Sequence, residues 1–180
     1  MRVSVVIPFY EVNPQKREVL KECTNSLKGH DEIIIVWNQR MGYAPSINRG
    51  LENSRGDYIV VMNDDVVLME GDLKQLCIPG TVTSPSFMGK TYPHIWGSCF
   101  CMPRSVYERI GGMDERYTIS YFDDDDLIFT LIQNAIPMKA VPEVVFDHKH
   151  PGLTLDAMPD RNEFFEANKQ KFVEKWGRLP

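Results

Sequence analysis

No apolar run in this 180-residue chain is longer than about five residues, the longest being "IIIVW" at 33–37. A helix that crosses a bilayer needs about 20, so no such helix is encoded. The opening, "MRVSVVIPFYE", reaches Pro8 and Glu11 before an apolar signal core can form, and a cytoplasmic location is expected. Strong charge of one sign is also lacking. The formal net charge is −5, from 20 Lys and Arg against 25 Asp and Glu. That balance gives no general attraction to nucleic acid or anionic lipid, and no nucleic-acid partner is expected. Cysteine is sparse. Cys23, Cys77, Cys99 and Cys101 form no CxxC pair, which argues against a zinc ribbon or a dithiol redox motif, and reduced, mostly buried thiols are expected. Repeats, low-complexity tracts and a dividing linker are absent, so a single domain is predicted over 1–180.

What is present is a regular first third. "VSVVIP" at 3–8 is a short apolar run ended by a proline, the mark of a strand buried on both faces. Residues 15–28 place Val19, Leu20, Cys23 and Leu27 at helical spacing. "EIIIVW" at 32–37 reads as a second strand, 44–54 as a short helix and "DYIVVM" at 57–62 as a third strand. The β-α-β-α-β alternation predicts an α/β domain with a mostly parallel sheet flanked by helices. In such sheets ligands gather at the carboxyl ends of the strands. The second half is less regular. Short strands are predicted at 81–84 and 96–102, helices at 105–110 and 123–136, and a strand–turn–strand over 138–150. A closing helix over 160–176 has Phe164, Phe165, Phe172 and Trp176 on its buried side.

Three groups of residues can carry chemistry. In "YIVVMNDDVVL" the apolar run breaks at Asn63-Asp64-Asp65. Either the strand ends there with its acids solvated, or the acids hold a divalent cation, which with a diphosphate needs only one or two carboxylates. Asp123-Asp124-Asp125-Asp126 opens a predicted helix. Capping explains one or two acids there, while a carboxylate at a helix start can also deprotonate a hydroxyl as general base. In "FDHKHPGLT", His148 and His150 face one way in extended chain. They are either structural or ligands for a metal or diphosphate.

In order, these elements resemble a family 2 glycosyltransferase of the GT-A fold. The resemblance rests on "VVIPFYEVN", "GYAPSINRG" at 42–50, "GDYIVVMNDD" at 56–65, "GSCFCMPRSVYERIGGMDER" at 97–116, "DDDDL" at 123–127 and "HKHPGLT". It covers roughly residues 3 to 154. It implies transfer of a sugar from a nucleotide-diphosphate sugar to a saccharide or other hydroxyl acceptor, with Mn2+ or Mg2+ and inversion at the anomeric carbon. Carried over by position, Asp65 and either His148 or His150 would hold the metal. Asp64 would lie near ribose or phosphate, and Asp124, with Asp126 nearby, would be the base. Pro8, Phe9, Glu11, Asn38, Asn48 and Arg49 would serve the donor. Residues 1–65 would form the nucleotide-binding half, 66–154 the acceptor and catalytic half, and 155–180 the closing helix. The sequence departs from the pattern at Asn63, which stands for the first acid of the DxD motif, at Glu11 and at Asn38. A nucleotidyltransferase of related fold is a rival, but "PFYEVNPQK" has no glycine for a phosphate loop. A non-catalytic nucleotide-sugar-binding module is another.

Overall fold

The computed structural model describes residues 1–149 and 153–180. It opens with β1 (Val3–Phe9), α1 (Gln15–Ser26), β2 (Glu32–Trp37), α2 (Tyr43–Asn53) and β3 (Tyr58–Met62). The alternation forms for the predicted reason. Successive side chains of β1 point to opposite faces. Val3, Val5 and Ile7 join one core with Cys23 of α1 and Leu27 just after it. Val6 joins a second core with Ala44, Ile47 and Leu51 of α2. A strand buried on both faces reads as an unbroken apolar run.

The chain continues through β4 (Val66–Glu70), a 3-10 turn (Leu73–Leu76), β5 (Val82–Phe87), β6 (Cys99–Pro103), α3 (Arg104–Ile110), α4 (Asp123–Gln133), β7 (Met138–His148), α5 (Leu153–Asp156) and α6 (Arg161–Trp176). One seven-stranded sheet runs β2-β1-β3-β6-β5-β7-β4. The β1–β2, β1–β3 and β5–β7 pairs are parallel. The β3–β6, β4–β7 and β5–β6 pairs are antiparallel. The sheet is therefore evenly mixed rather than mostly parallel, because β6 inserts antiparallel beside β3. The expected strand–turn–strand over 138–150 is one strand over the described residues. Residues 142–144 are absorbed by a register shift opposite Pro85 and Ser86 of β5, which pair with Val141 and Val145. Neither β4 nor α5 is anticipated by the sequence reading.

A third, aromatic cluster joins Tyr117, Phe122 and Phe172, with Phe165 and Trp176 packed against it. It fixes α6 against α4. All four cysteines are free, three of them buried. Among the described residues no helix is long and apolar enough to cross a membrane.

Candidate active site

A cleft of about 300 Å³ opens at the carboxyl ends of β1, β2 and β3. Its lining includes Pro8, Asn38, Asp64, Asp65, Asp123, Asp124 and His148. The two acidic groups and His148 thus share one cavity although they lie far apart in sequence.

Strand register brings the first pair together. Val66 of β4 lies opposite His148 of β7, and Lys149 N donates to Asp65 O at 3.0 Å. The residue before β4 and the last residue of β7 therefore meet. His148 Nε2 stands 3.0 Å from Asp65 Oδ1. The two atoms are close but poorly aligned for a hydrogen bond, and both are buried with no hydrogen-bond partner among the described residues. Buried polar atoms are normally satisfied. A carboxylate oxygen and an imidazole nitrogen suit a divalent ion. Two ligands at right angles on an octahedral ion, each about 2.1 Å away, stand about 3.0 Å apart. Among the described residues no group of three His, Cys, Asp or Glu side chains is arranged to hold a metal, so the remaining positions would fall to substrate and water. His150 lies outside the described residues.

Asp64 turns its carboxylate to Lys16 of α1, whose Nζ donates to Oδ1 at 2.6 Å. Lys16 is fully buried and Asp64 nearly so. Burial pushes the Asp64 carboxyl up to about 6, against the opposing pull of the Lys16 ammonium. The sequence reading did not single out Lys16. The signal was present, because Lys16 shares a helix face with Val19, Cys23 and Leu27.

The opposite wall is the first turn of α4. It starts from Phe122 in the left-handed region, φ 64. Asp123 Oδ1 accepts from Asp124 N at 3.1 Å, and Asp124 Oδ1 from Asp125 N at 3.0 Å. A Cβ on Gly97 would come within 2.6 Å of Asp124 Oδ2. Glycine at 97 therefore lets the turn before β6 approach this carboxylate closely. Burial raises the Asp124 carboxyl, outweighing the helix-start amides that lower it. Burial likewise lifts Asp123, reinforced by Asp124, to about 8.

Asp123 yields a pH prediction. Its folded value lies above the unfolded value of about 3.9. The stability that it contributes is complete below about pH 4 and is lost as pH rises through 8. Asp123→Asn should flatten the fall in urea midpoint between pH 5 and 8. Asp64 and Asp125, both raised to about 6, would keep part of that slope. An unchanged slope would assign the pH dependence to other groups.

Other positions from the sequence reading lie elsewhere. Asp126 is buried outside the cleft lining. It accepts from Tyr117 Oη at 2.9 Å, Trp176 Nε1 at 2.7 Å and Lys175 Nζ at 2.9 Å, so it ties α4 to α6. Asn48 donates to Met113 O and to Glu115 Oε1, and accepts from Met113 N, each at 2.8 Å. It joins α2 to the turn at 111–116. Gly112, at φ 90, leaves room for that amide. Arg49 is exposed on the far side of α2. Glu11 pairs with Arg17. Phe9 is buried and meets the exposed Trp37 edge-on, ring centres 5.0 Å apart. Asn38 lines the cleft, but its amide already bonds Gly42 N and O at 3.1 Å each. One hydrogen and one lone pair remain for a ligand. Tyr10, Arg40, Tyr43 and Trp96 also line the cleft and were not anticipated.

This architecture is the GT-A glycosyltransferase fold. The catalytic domain of Drosophila beta1,4galactosyltransferase 7, in complex with xylobiose, superposes with a TM-score of 0.66 at 17% identity, over 85% of this chain and 72% of that one. The mannosyltransferase PcManGT from Pyrobaculum calidifontis, in complex with GDP-Man and Mn2+, gives 0.61 at 18% identity, over 99% and 66%. GalNAc-T7 with UDP, GalNAc and Mn2+ gives 0.64 at 12%, over 98% of this chain and 51% of that one. In sequence, glycosyl transferase family 2 matches residues 32–79, from the start of β2 to just past the 3-10 turn. The family match covers about a quarter of the chain, and the structural likeness shows the GT-A fold. No curated protein matches the chain.

Proposed function

We propose that the protein transfers a sugar from a nucleotide-diphosphate sugar to a hydroxyl acceptor, with a divalent cation, Mn2+ or Mg2+, bound by Asp65 and His148. The observation that carries this reading is the orphaned Asp65–His148 pair on one side of a cleft whose other wall holds Asp124. Neighbours of the same fold were solved with Mn2+ and a nucleotide or nucleotide sugar, which supports the same use here. The bound cation would neutralise charge growing on the diphosphate leaving group. Pro8 and Asn38, at the ends of β1 and β2, border the nucleotide. Asp64 sits beside them, held by Lys16. Asp124 removes the acceptor proton, helped by burial that raises its affinity for protons. Attack from the face opposite the diphosphate inverts the anomeric carbon. Residues 1–65 serve the nucleotide and 66–154 the acceptor, with 155–180 as the closing helix. A saccharide acceptor and a cytoplasmic location complete the proposal.

A nucleotidyltransferase fits less well. The basic residues after β1 do not face the cleft: Lys16 is buried against Asp64 and Arg17 pairs with Glu11. Asp65→Ala tests the metal site. Calorimetry should show Mn2+-dependent binding of UDP or GDP reduced below detection, with the fold intact. Parental affinity in the variant would overturn the assignment. Pyrophosphate, rather than a nucleoside diphosphate, as the released product would indicate nucleotidyl transfer.

A further inference from the structure

Asn168 lies in the middle of α6, fully buried, yet its side chain bonds another part of the chain. Oδ1 accepts from Thr118 N at 3.0 Å, Thr118 Oγ1 at 3.3 Å and Lys171 Nζ at 3.1 Å. Nδ2 donates to Thr118 O and Ser120 O at 2.8 Å each, with a longer contact to Tyr121 O at 3.3 Å. The amide is saturated by this one segment and its own helix neighbour.

The gripped segment is strained. Ile119, Tyr121 and Phe122 have φ of 65, 77 and 64. Left-handed backbone is uncommon for any residue with a Cβ, and for a β-branched one it is a true outlier. Such conformations persist only where their surroundings over-determine them. Three sets of contacts do so here. Asn168 takes the inward-turned carbonyls. Ile119 O accepts from Tyr43 N at 2.7 Å. The rings of Tyr121 and Phe122 pack on Phe165 and Phe172 of α6, with centres 5.1 and 5.6 Å apart.

The same segment borders the cleft through Ile119, Ser120 and Tyr121, and it runs directly into Asp123 and Asp124. Whatever fixes 118–122 therefore fixes where the first turn of α4 stands. An apolar residue at 168 would fill the space between Phe164 and Phe172. Only a group with both donor and acceptor can hold that backbone.

We infer that Asn168 is a positioning residue: from the closing helix it holds the strained 118–122 segment that aims Asp124 into the cleft. The inference rests on the reading of Asp124 as the base. A misplacement of about 1 Å from a change remote from the chemistry can lower a rate by about 100-fold, which sets the expected scale.

Asn168→Asp keeps the shape and the acceptor but sets a carboxylate oxygen against the Thr118 and Ser120 carbonyls. Asn168→Ala, which removes both the donor and the acceptor, stands in if the first variant does not melt cooperatively. Two measurements are made on the full chain. Amide hydrogen exchange at Tyr43, whose N–H bonds Ile119 O, should speed up about 10-fold while β1 and β3 amides hold their parental rates. Turnover per folded molecule should fall about 100-fold, while calorimetric affinity for UDP or GDP with Mn2+ moves less than about 3-fold, as expected when only transition-state interactions are lost. Unchanged exchange at Tyr43 overturns the grip. Faster exchange with parental turnover overturns the link to chemistry. Loss of turnover and nucleotide affinity in equal measure assigns a general structural role instead. If the parental protein turns over no nucleotide sugar, the transferase reading fails, and the exchange arm alone decides whether Asn168 holds the segment.

Discussion

Asp124→Asn should lower transfer by roughly 100-fold or more, the scale for losing a general base, and leave nucleotide and metal affinity close to parental. The amide keeps the size and still accepts from Asp125 N, as Oδ1 does now at 3.0 Å. Basicity alone is removed. Asp123→Asn and Asp126→Asn belong in the same series. Asp123 shares the cleft wall, and burial, reinforced by Asp124, raises its carboxyl, so it is the alternative base that this series tests. Asp126 is committed to Tyr117, Lys175 and Trp176, and its loss should appear in stability before it appears in turnover. The measurement is steady-state transfer with the nucleotide sugar whose nucleotide most raises the melting temperature in the presence of Mn2+. Parental turnover in Asp124→Asn, with collapse in Asp123→Asn, would move the base to Asp123. Parental turnover in all three would remove the acidic turn from the mechanism.

Lys16→Ala should destabilise the fold by about 3–5 kcal/mol, the range for stripping one partner from a buried ion pair. For a chain of this size that is a drop in melting temperature of roughly 10 °C. The reasoning is specific to this pair. Lys16 is fully buried, so water cannot take over the bond to Asp64. The Asp64 carboxyl, already raised by burial, would be left without its cation. Replacing both partners with uncharged groups of similar volume, as in Lys16→Met with Asp64→Asn, should recover much of the loss. That double variant should still bind nucleotide weakly, because Asp64 also lines the cleft. Thermal and urea denaturation read both effects. A loss under about 1 kcal/mol in Lys16→Ala would match a solvated surface pair and refute the buried-pair account.

The first 65 residues were legible because each element there obeys one period. β1, β2 and β3 are short apolar runs closed by polar residues, and α1 and α2 carry apolar stripes between them. The second half hid its topology. β4 follows Asp65 without a turn signal of glycine or proline, so nothing in "VVLME" marks the start of a new strand. Pro142 inside β7 suggests a break, which the sheet accommodates by a register shift of β7 against β5. The motif residues were legible as a set but not by role. Asn48 and Asp126 fit the family pattern, yet each is consumed in joining two elements. Lys16 and Asn168 were missed for a shared reason. Each is a polar residue on the apolar stripe of its helix, Lys16 in line with Val19 and Cys23, Asn168 between Phe164 and Phe172. A polar side chain at a core-facing position signals a partner brought from elsewhere in the fold. The sequence does not say which partner.

The meeting of Asp65 with His148 depends on the antiparallel register of β4 against β7, strands drawn from opposite halves of the chain. A slip of one residue in that pairing would turn His148 to the other face of the sheet. Contacts between such distant segments close late, since the entropy of a long loop must be met first. A cation held by both side chains would therefore bind only molecules in which the far edge of the sheet has formed in register. It would stabilise them in proportion to the logarithm of its concentration. On that basis a bound Mn2+ would act as a selector of the finished fold. Refolding with Mn2+ and a nucleoside diphosphate should yield a higher fraction of cooperatively melting protein than refolding with a chelator, and Asp65→Ala should erase the difference.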